Sequence, residues 1–201
     1  MPFASINGLK LNYELHGETG DPLVLVHGYT GDITDWRHQL PAFSPSFRVL
    51  IADNRGHGQS EAPNDRSSYT IDQMTADITA LVDDLGFERF HLLGHSMGGA
   101  IAQEIAIANP QRLLSLTLHN TTNSFEVTRM NAALALWRDY RFKVAENEGM
   151  RAVAEMTSPF PPPPYMPAAR LEETKERLAA MSVDAFVGAW EGLAAWQGAE
   201  T

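Results

Sequence analysis

The sequence predicts an α/β fold, a mainly parallel sheet with helices on both faces. Three observations carry that expectation. Three apolar runs, "PLVLVHG" at 22–28, "FRVLIAD" at 47–53 and "FHLLGHS" at 90–96, lack the polar alternation of a half-exposed strand and suit strands buried on both faces, and "LLSLTLHN" at 113–120 is read as a fourth buried strand. Helical patterns separate them, which calls for right-handed crossovers between parallel strands. After Asn120 the pattern becomes almost entirely helical, so residues 1–122 read as a core and 123–201 as a helical region set on it.

The chain opens with "FASINGLKLNYELHG", two short strands around Asn7-Gly8, a dipeptide that readily supplies the positive φ of a hairpin turn. The first long helical pattern covers 70–85. Thr70 and Gln73 are spaced as a capping box, Met74, Ile78, Leu81 and Val82 form the apolar face, and Gly86 ends it. A second helix over 97–109 stops at Asn109-Pro110. In the last third, Met130, Leu134 and Trp137 share one helical face, and Phe186, Trp190 and Leu193 another. The proline run "SPFPPPPYMP" reads as a stiff connector between helices rather than a ligand for a polyproline-binding module.

At 201 residues the chain fits one domain with a sizeable core. A net charge of −10 spread along the sequence argues against nucleic acid or an anionic membrane as partner. With no cysteine there is neither a disulfide framework nor a thiolate nucleophile or zinc-thiolate site. No run approaches the roughly 18 apolar residues of a membrane span, and the first residues lack the basic and apolar regions of a secretory signal, so a cytoplasmic location is expected.

Gly94-His95-Ser96-Met97-Gly98 matches G-x-S-x-G, with a buried strand before it and a helix after it. Alone that motif is weak, because serine and glycine are common in turns. It has company: "HGYTG" at 27–31 follows the first buried strand and "DNRGHGQS" at 53–60 the second, so all three loops gather at the carboxyl edge of the sheet, where open α/β sheets bind ligands.

On these residues the chain resembles the alpha/beta-hydrolase family, in the order H-G-x-x-G, D-x-R-G-x-G-x-S, G-x-S-x-G-G. The resemblance implies that Ser96 is the nucleophile and that the backbone N–H groups of Tyr29 and Met97 form an oxyanion hole, their side chains being incidental. Gly28 would leave room for the substrate oxygen. His27 and His95 flank the site as structural residues rather than bases, and Asp53, Arg55 and His57 read as loop-fixing. Haloalkane dehalogenases and epoxide hydrolases of this fold place a carboxylate at the elbow. Serine there implies acyl transfer, on small esters or lactones, as in the small carboxylesterases and enol-lactonases that "GHSMGG" resembles. Neither cofactor nor metal is expected for that chemistry.

The family order is nucleophile, then acid, then histidine base, the last two on later loops. All seven histidines of this sequence lie at or before His119. Glu126, the nearest candidate acid, reads better as a helix-start carboxylate. The resemblance therefore covers the core through its sixth strand and most of a cap, and implies a fragment of a longer hydrolase or a shortened chain without catalysis. A non-catalytic ligand- or partner-binding member is the alternative to a hydrolase. Either way "LLSLTLHN" is expected to leave an open edge, which a second copy of the chain could cover. Phe125, Met130, Trp137, Tyr140, Phe186 and Trp190 either line an acyl pocket under the cap or pack cap helices together.

Overall fold

The computed structural model of the protein describes residues 2–124, 132–156 and 167–198. Six strands form one sheet in the order β1-β2-β4-β3-β5-β6. Strands β1 (Phe3–Ile6) and β2 (Leu9–His16) make the hairpin, with Asn7 at φ 50° and Gly8 at φ 79° in its turn. Antiparallel pairing of β2 with β4 (Arg48–Ala52) joins it to the parallel part, where β3 (Pro22–Val26) lies between β4 and β5 (Phe90–His95). The chain starts the parallel sheet at its centre and builds outward, and the loops after β3, β4 and β5 meet at one edge.

A short helix α1 (Leu40–Phe43) precedes β4, and α2 (Ile71–Asp84) and α3 (Met97–Ala108) cross over between strands. The Thr70 hydroxyl accepts from the Gln73 N–H as expected of a cap, while the Gln73 side-chain oxygen accepts from Arg55. Buried Met74, Ile78, Leu81 and Val82 on α2 pack with Val24, Leu50, Leu92, Ala100 and Ile101 into one core cluster.

The fourth run forms β6 (Leu113–His119), parallel to β5, and is the open edge the resemblance implies rather than a strand buried on both faces: Leu116 and Leu118 are 39% and 43% exposed. It is the outermost strand, with β5 on one side and no strand on the other among the described residues.

Beyond β6 lie α4 (Ala132–Glu148), α5 (Met150–Glu155), α6 (Ala168–Ala180) and α7 (Val183–Ala195). Phe125, Glu126, Met130 and most of the proline run lie outside the described residues. The apolar cluster of the sheet continues without a seam into this helical part through Val144, Met150, Phe186, Leu193 and Trp196. After α7 the chain returns to the core, where the Trp196 indole donates to Glu104 (2.7 Å) and the Gly198 N–H to the Asn123 carbonyl (2.8 Å). No described helix alone is long and apolar enough to cross a membrane.

Candidate active site

Between the end of β5 and the start of α3 there is one residue, Ser96, and the chain reverses there. Its backbone stands at φ 52°, ψ −117°, a conformation costing about 1–3 kcal/mol for a residue with a side chain. The surroundings hold it: the Ser96 N–H donates to the His119 carbonyl (3.0 Å), and its carbonyl accepts from Gly99 N–H (2.8 Å) and the Thr121 hydroxyl (2.8 Å). The glycines are required by close approach. A β-carbon on Gly94 would run into the Gly98 carbonyl, and one on Gly98 would lie 2.6 Å from the His27 carbonyl oxygen. The Ser96 hydroxyl has no hydrogen-bond partner among the described residues.

The loop after β3 abuts this serine. A β-carbon on Gly28 would lie 3.1 Å from the Ser96 β-carbon and from His95 Nδ1, so the glycine is needed for the fit of loop against elbow before any substrate enters. His27 is fully buried. Its Nδ1 donates to the Gly28 carbonyl (2.8 Å) and its Nε2 accepts from the Asn54 N–H (2.9 Å), which fixes the neutral tautomer and leaves no nitrogen for Ser96. Thr30 follows at φ 58°, an uncommon conformation for a β-branched residue, and Gly31 N–H donates back to the Gly28 carbonyl (3.0 Å). Met97 is the first residue of α3, so its amide has no partner within the helix. Neither it nor the Tyr29 amide donates to a loop or cap acceptor among the described residues.

Tyr29 is more than a backbone donor. Its hydroxyl donates to the Phe186 carbonyl of α7 (2.7 Å), and its ring stacks on Phe186 at 5.6 Å and meets Trp190 edge-on at 5.4 Å. Burial pushes this hydroxyl well above the ordinary tyrosine range, against the nearby positive charge of Arg141, so it stays neutral. The side chain thus ties the loop after β3 to α7, a role its position in H-G-x-x-G does not disclose.

The loop after β4 is rigid for reasons that can be traced atom by atom. Asp53 accepts from Ile33 N–H (2.8 Å), Asn12 Nδ2 (2.8 Å) and Gln59 N–H (2.9 Å), joining three segments through one carboxylate. Arg55 forks onto buried Asp77 of α2 at 2.6 and 2.9 Å. His57 donates from Nδ1 to the Arg55 carbonyl (3.0 Å), while its Nε2 is sealed without a partner among the described residues. Burial, with the neighbouring His27, drives its pKa down to about 3. Loop-fixing describes all three.

His95 and His119 face each other with ring centroids 5.2 Å apart, and burial, then the charge of His119, lowers the His95 pKa. Neither ring makes a hydrogen bond to the Ser96 hydroxyl among the described residues. On the other flank Arg177 of α6 reaches Asp32 (3.2 Å) and Asp35 (2.7 Å) beside the loop after β3. Burial works against the ionised Asp32, but Thr34 and Arg177 outweigh it and hold its pKa below the usual carboxylate range.

Under the cap, a cavity of about 400 Å³ is lined by Thr30, Trp137, Arg141, Met156 and Leu178 among others. Trp137 is therefore a lining residue. Phe186 and Trp190 pack against Tyr29, and Tyr140 is 56% exposed on the outer face of α4. Phe125 and Met130 fall outside the described residues. Sequence reasoning passed over Thr121, Arg141 and the Tyr29 hydroxyl, whose partners come from distant segments.

A serine held on a strained strand-to-helix turn, backed by a glycine loop at the carboxyl edge of a parallel sheet, places the chain in the nucleophile-elbow class of α/β proteins. Residues 21–186 match the family described as alpha/beta hydrolase fold, and the chain belongs to that family. It is 41% identical over 115 residues to Epoxide hydrolase 4 of Mus musculus, covering 57% of this chain and 32% of that protein. To the putative carbamate hydrolase RutD of Stutzerimonas stutzeri it is 36% identical over 172 residues, 84% of this chain and 61% of that one. Among solved structures, the enol-lactonase from Burkholderia xenovorans LB400 shares the fold at TM-score 0.85 and 30% identity, over 98% of this chain and 74% of that one. The chain thus spans about a third of the epoxide hydrolase and three fifths of the carbamate hydrolase.

Proposed function

We propose that the protein is a hydrolase of small carboxylic esters or lactones, acting through an acyl-enzyme on Ser96. The observation that carries this reading is the strained, unpartnered Ser96 pressed against Gly28, with the Tyr29 and Met97 amides free beside it. In the step envisaged, Ser96 Oγ attacks the carbonyl carbon as its proton passes to a base, and the carbonyl oxygen gathers negative charge in front of the two amides. Collapse expels the alkoxide, which takes the proton back, and water then repeats the sequence to release the acid. A hydroxyl at the elbow suits an acyl ester. The alkyl-ester chemistry of epoxide opening uses a carboxylate at that position, so the epoxide hydrolase likeness does not decide the reaction.

Among the described residues no histidine ring is bonded to the Ser96 hydroxyl. His27 uses both nitrogens, His57 is sealed, His16 is bound to Glu14 and His91 to Ser115, and the rings of His38, His95 and His119 make no hydrogen bond to that hydroxyl. We place the base, and the acid that orients it, outside these 201 residues. On that reading the chain alone keeps only the oxyanion and binding contributions, roughly 10³–10⁴ over water, and lacks the rest of the triad's rate. The test is hydrolysis of p-nitrophenyl acetate with and without free imidazole as a substitute base. Slow turnover, raised by imidazole and abolished in Ser96→Ala, is expected. Fast turnover without imidazole would place a base within the chain, and turnover unchanged in Ser96→Ala would remove Ser96 from the chemistry.

A further inference from the structure

The cavity lined by Trp137 and Leu178 contains one charge that no described residue answers. Among the described residues Arg141, on α4, makes no hydrogen bond and no ion pair, whereas the other described arginines beyond β6 each face a carboxylate: Arg138 with Asp139, Arg151 with Glu176, Arg170 with Asp35, and Arg177 with Asp32 and Asp35. Its guanidinium lies over the Phe186 ring, 5.0 Å from the centroid, and the ionisable group its charge feels is the neutral hydroxyl of Tyr29. Burial pulls the Arg141 pKa down, as expected for a partly desolvated cation with no counter-charge. Nor are its nitrogens sealed in protein, since none is among the buried unpartnered atoms.

Of the other charges that line the cavity, Lys175 and Glu155 offset each other at 3.6 Å. Glu172, which also holds Lys175, is 63% exposed and is not part of the lining, so Arg141 is the surplus charge in a lining that is otherwise apolar or neutral. In a protein of net charge −10 a local positive surplus is against the general field, and desolvating an arginine without a partner is costly. The cavity also reaches Thr30, the residue after Tyr29, whose amide is read as an oxyanion donor, so it adjoins the loop that abuts Ser96. One molecule must span from that loop to the guanidinium to engage both.

The geometry points to Arg141 as a specificity-determining residue that binds a carboxylate on the substrate, so that the site takes monoesters of dicarboxylic acids, or lactones bearing a free carboxylate, in preference to neutral esters. The planar fork of arginine matches a carboxylate in two parallel hydrogen bonds. The Phe186 ring under the guanidinium holds its plane in the cavity. This inference rests on the reading of Ser96 as the reacting group, but binding of the anion does not require Ser96 to react.

The test measures binding in Ser96→Ala, where no turnover intervenes, by calorimetry with monomethyl glutarate and dimethyl glutarate. A charge-assisted pair in this setting is expected to favour the monoanion by roughly 10- to 100-fold. Arg141→Met should bring the ratio close to one with little change for the diester, and Arg141→Lys, which keeps the charge and loses the fork, should fall between. Equal affinities with Arg141 present, binding of neither ester, or a ratio unchanged in Arg141→Met would each overturn the assignment. If Arg141→Met binds neither ester through loss of folding, the ratio with Arg141 present and its drop in Arg141→Lys decide. Acylation of Ser96 is measured separately. Acylation without discrimination sinks the carboxylate assignment alone, whereas discrimination without acylation supports it while removing the nucleophile reading.

Discussion

Substituting Gly98 by alanine tests the steric logic of the elbow. A β-carbon there would lie 2.6 Å from the His27 carbonyl oxygen and 2.7 Å from the Val26 carbonyl carbon, and closer still to the Val26 oxygen. Ordinary contacts of this kind fall at about 3.5 Å, so the start of α3 must withdraw from the end of β3 by roughly 1 Å. Both obstacles are backbone in the middle of the sheet, with no flexible side chain to give way. Overpacking of this kind costs typically about 1–3 kcal/mol, and the rigidity of β3 between β4 and β5 puts this case at the upper end. The same displacement carries Ser96 away from the loop bearing Gly28, and misplacement by about 1 Å can cost 10²-fold in rate. Gly86→Ala is the control. That glycine has φ 69° but nothing within 4 Å of its missing β-carbon, so only the conformational cost of about 1 kcal/mol applies. Urea denaturation of the three proteins, with the imidazole-assisted turnover of each, separates the two effects. Gly98→Ala no less stable than Gly86→Ala, with unchanged turnover, would refute the close-packing argument.

Ser96→Gly relieves the strained backbone and should raise unfolding free energy by about 1–3 kcal/mol while abolishing turnover; denaturant melts of the two proteins check it. Asp53→Asn places an amide against the three N–H donors that the carboxylate accepts, and should cost about 2–5 kcal/mol by the same melts. His57 is depressed to about 3 in the folded state against an unfolded value near 6.5, so the unfolded chain binds the extra proton between these limits. Its contribution is therefore complete above about pH 6.5 and is lost as pH falls, at up to about 1.4 kcal/mol per pH unit; His57→Gln should flatten that part of the stability profile between pH 7 and 4.5.

The parts of this fold set by local pattern were legible in the sequence. Asn7-Gly8 adopts the positive φ values of its turn, Thr70 caps α2, and the glycines around Ser96 sit where a side chain cannot. The exposure of β6 was legible in part: the family resemblance leaves it as an open edge, and Ser115 and Thr117 alternate with leucines as in a strand with one open face, so its reading as a strand buried on both faces fails. The site divided along the same line. Ser96, Gly28 and the loop histidines follow from motifs that fix backbone geometry, while Tyr29 to Phe186 and Arg141 over Phe186 join residues far apart in the chain. One arginine among the five described beyond β6 carries no mark in the sequence that it alone of those five lacks a carboxylate.

The central claim is that Ser96 forms the acyl-enzyme. The direct measurement is mass spectrometry of the tryptic peptide Phe90–Arg112 after brief exposure to p-nitrophenyl acetate with imidazole present, with the acetyl group located by fragmentation. The account predicts acetylation of Ser96 ahead of every other serine in the protein, and its absence in Ser96→Ala. An unmodified Ser96, or acetyl groups spread evenly over surface hydroxyls, would contradict it.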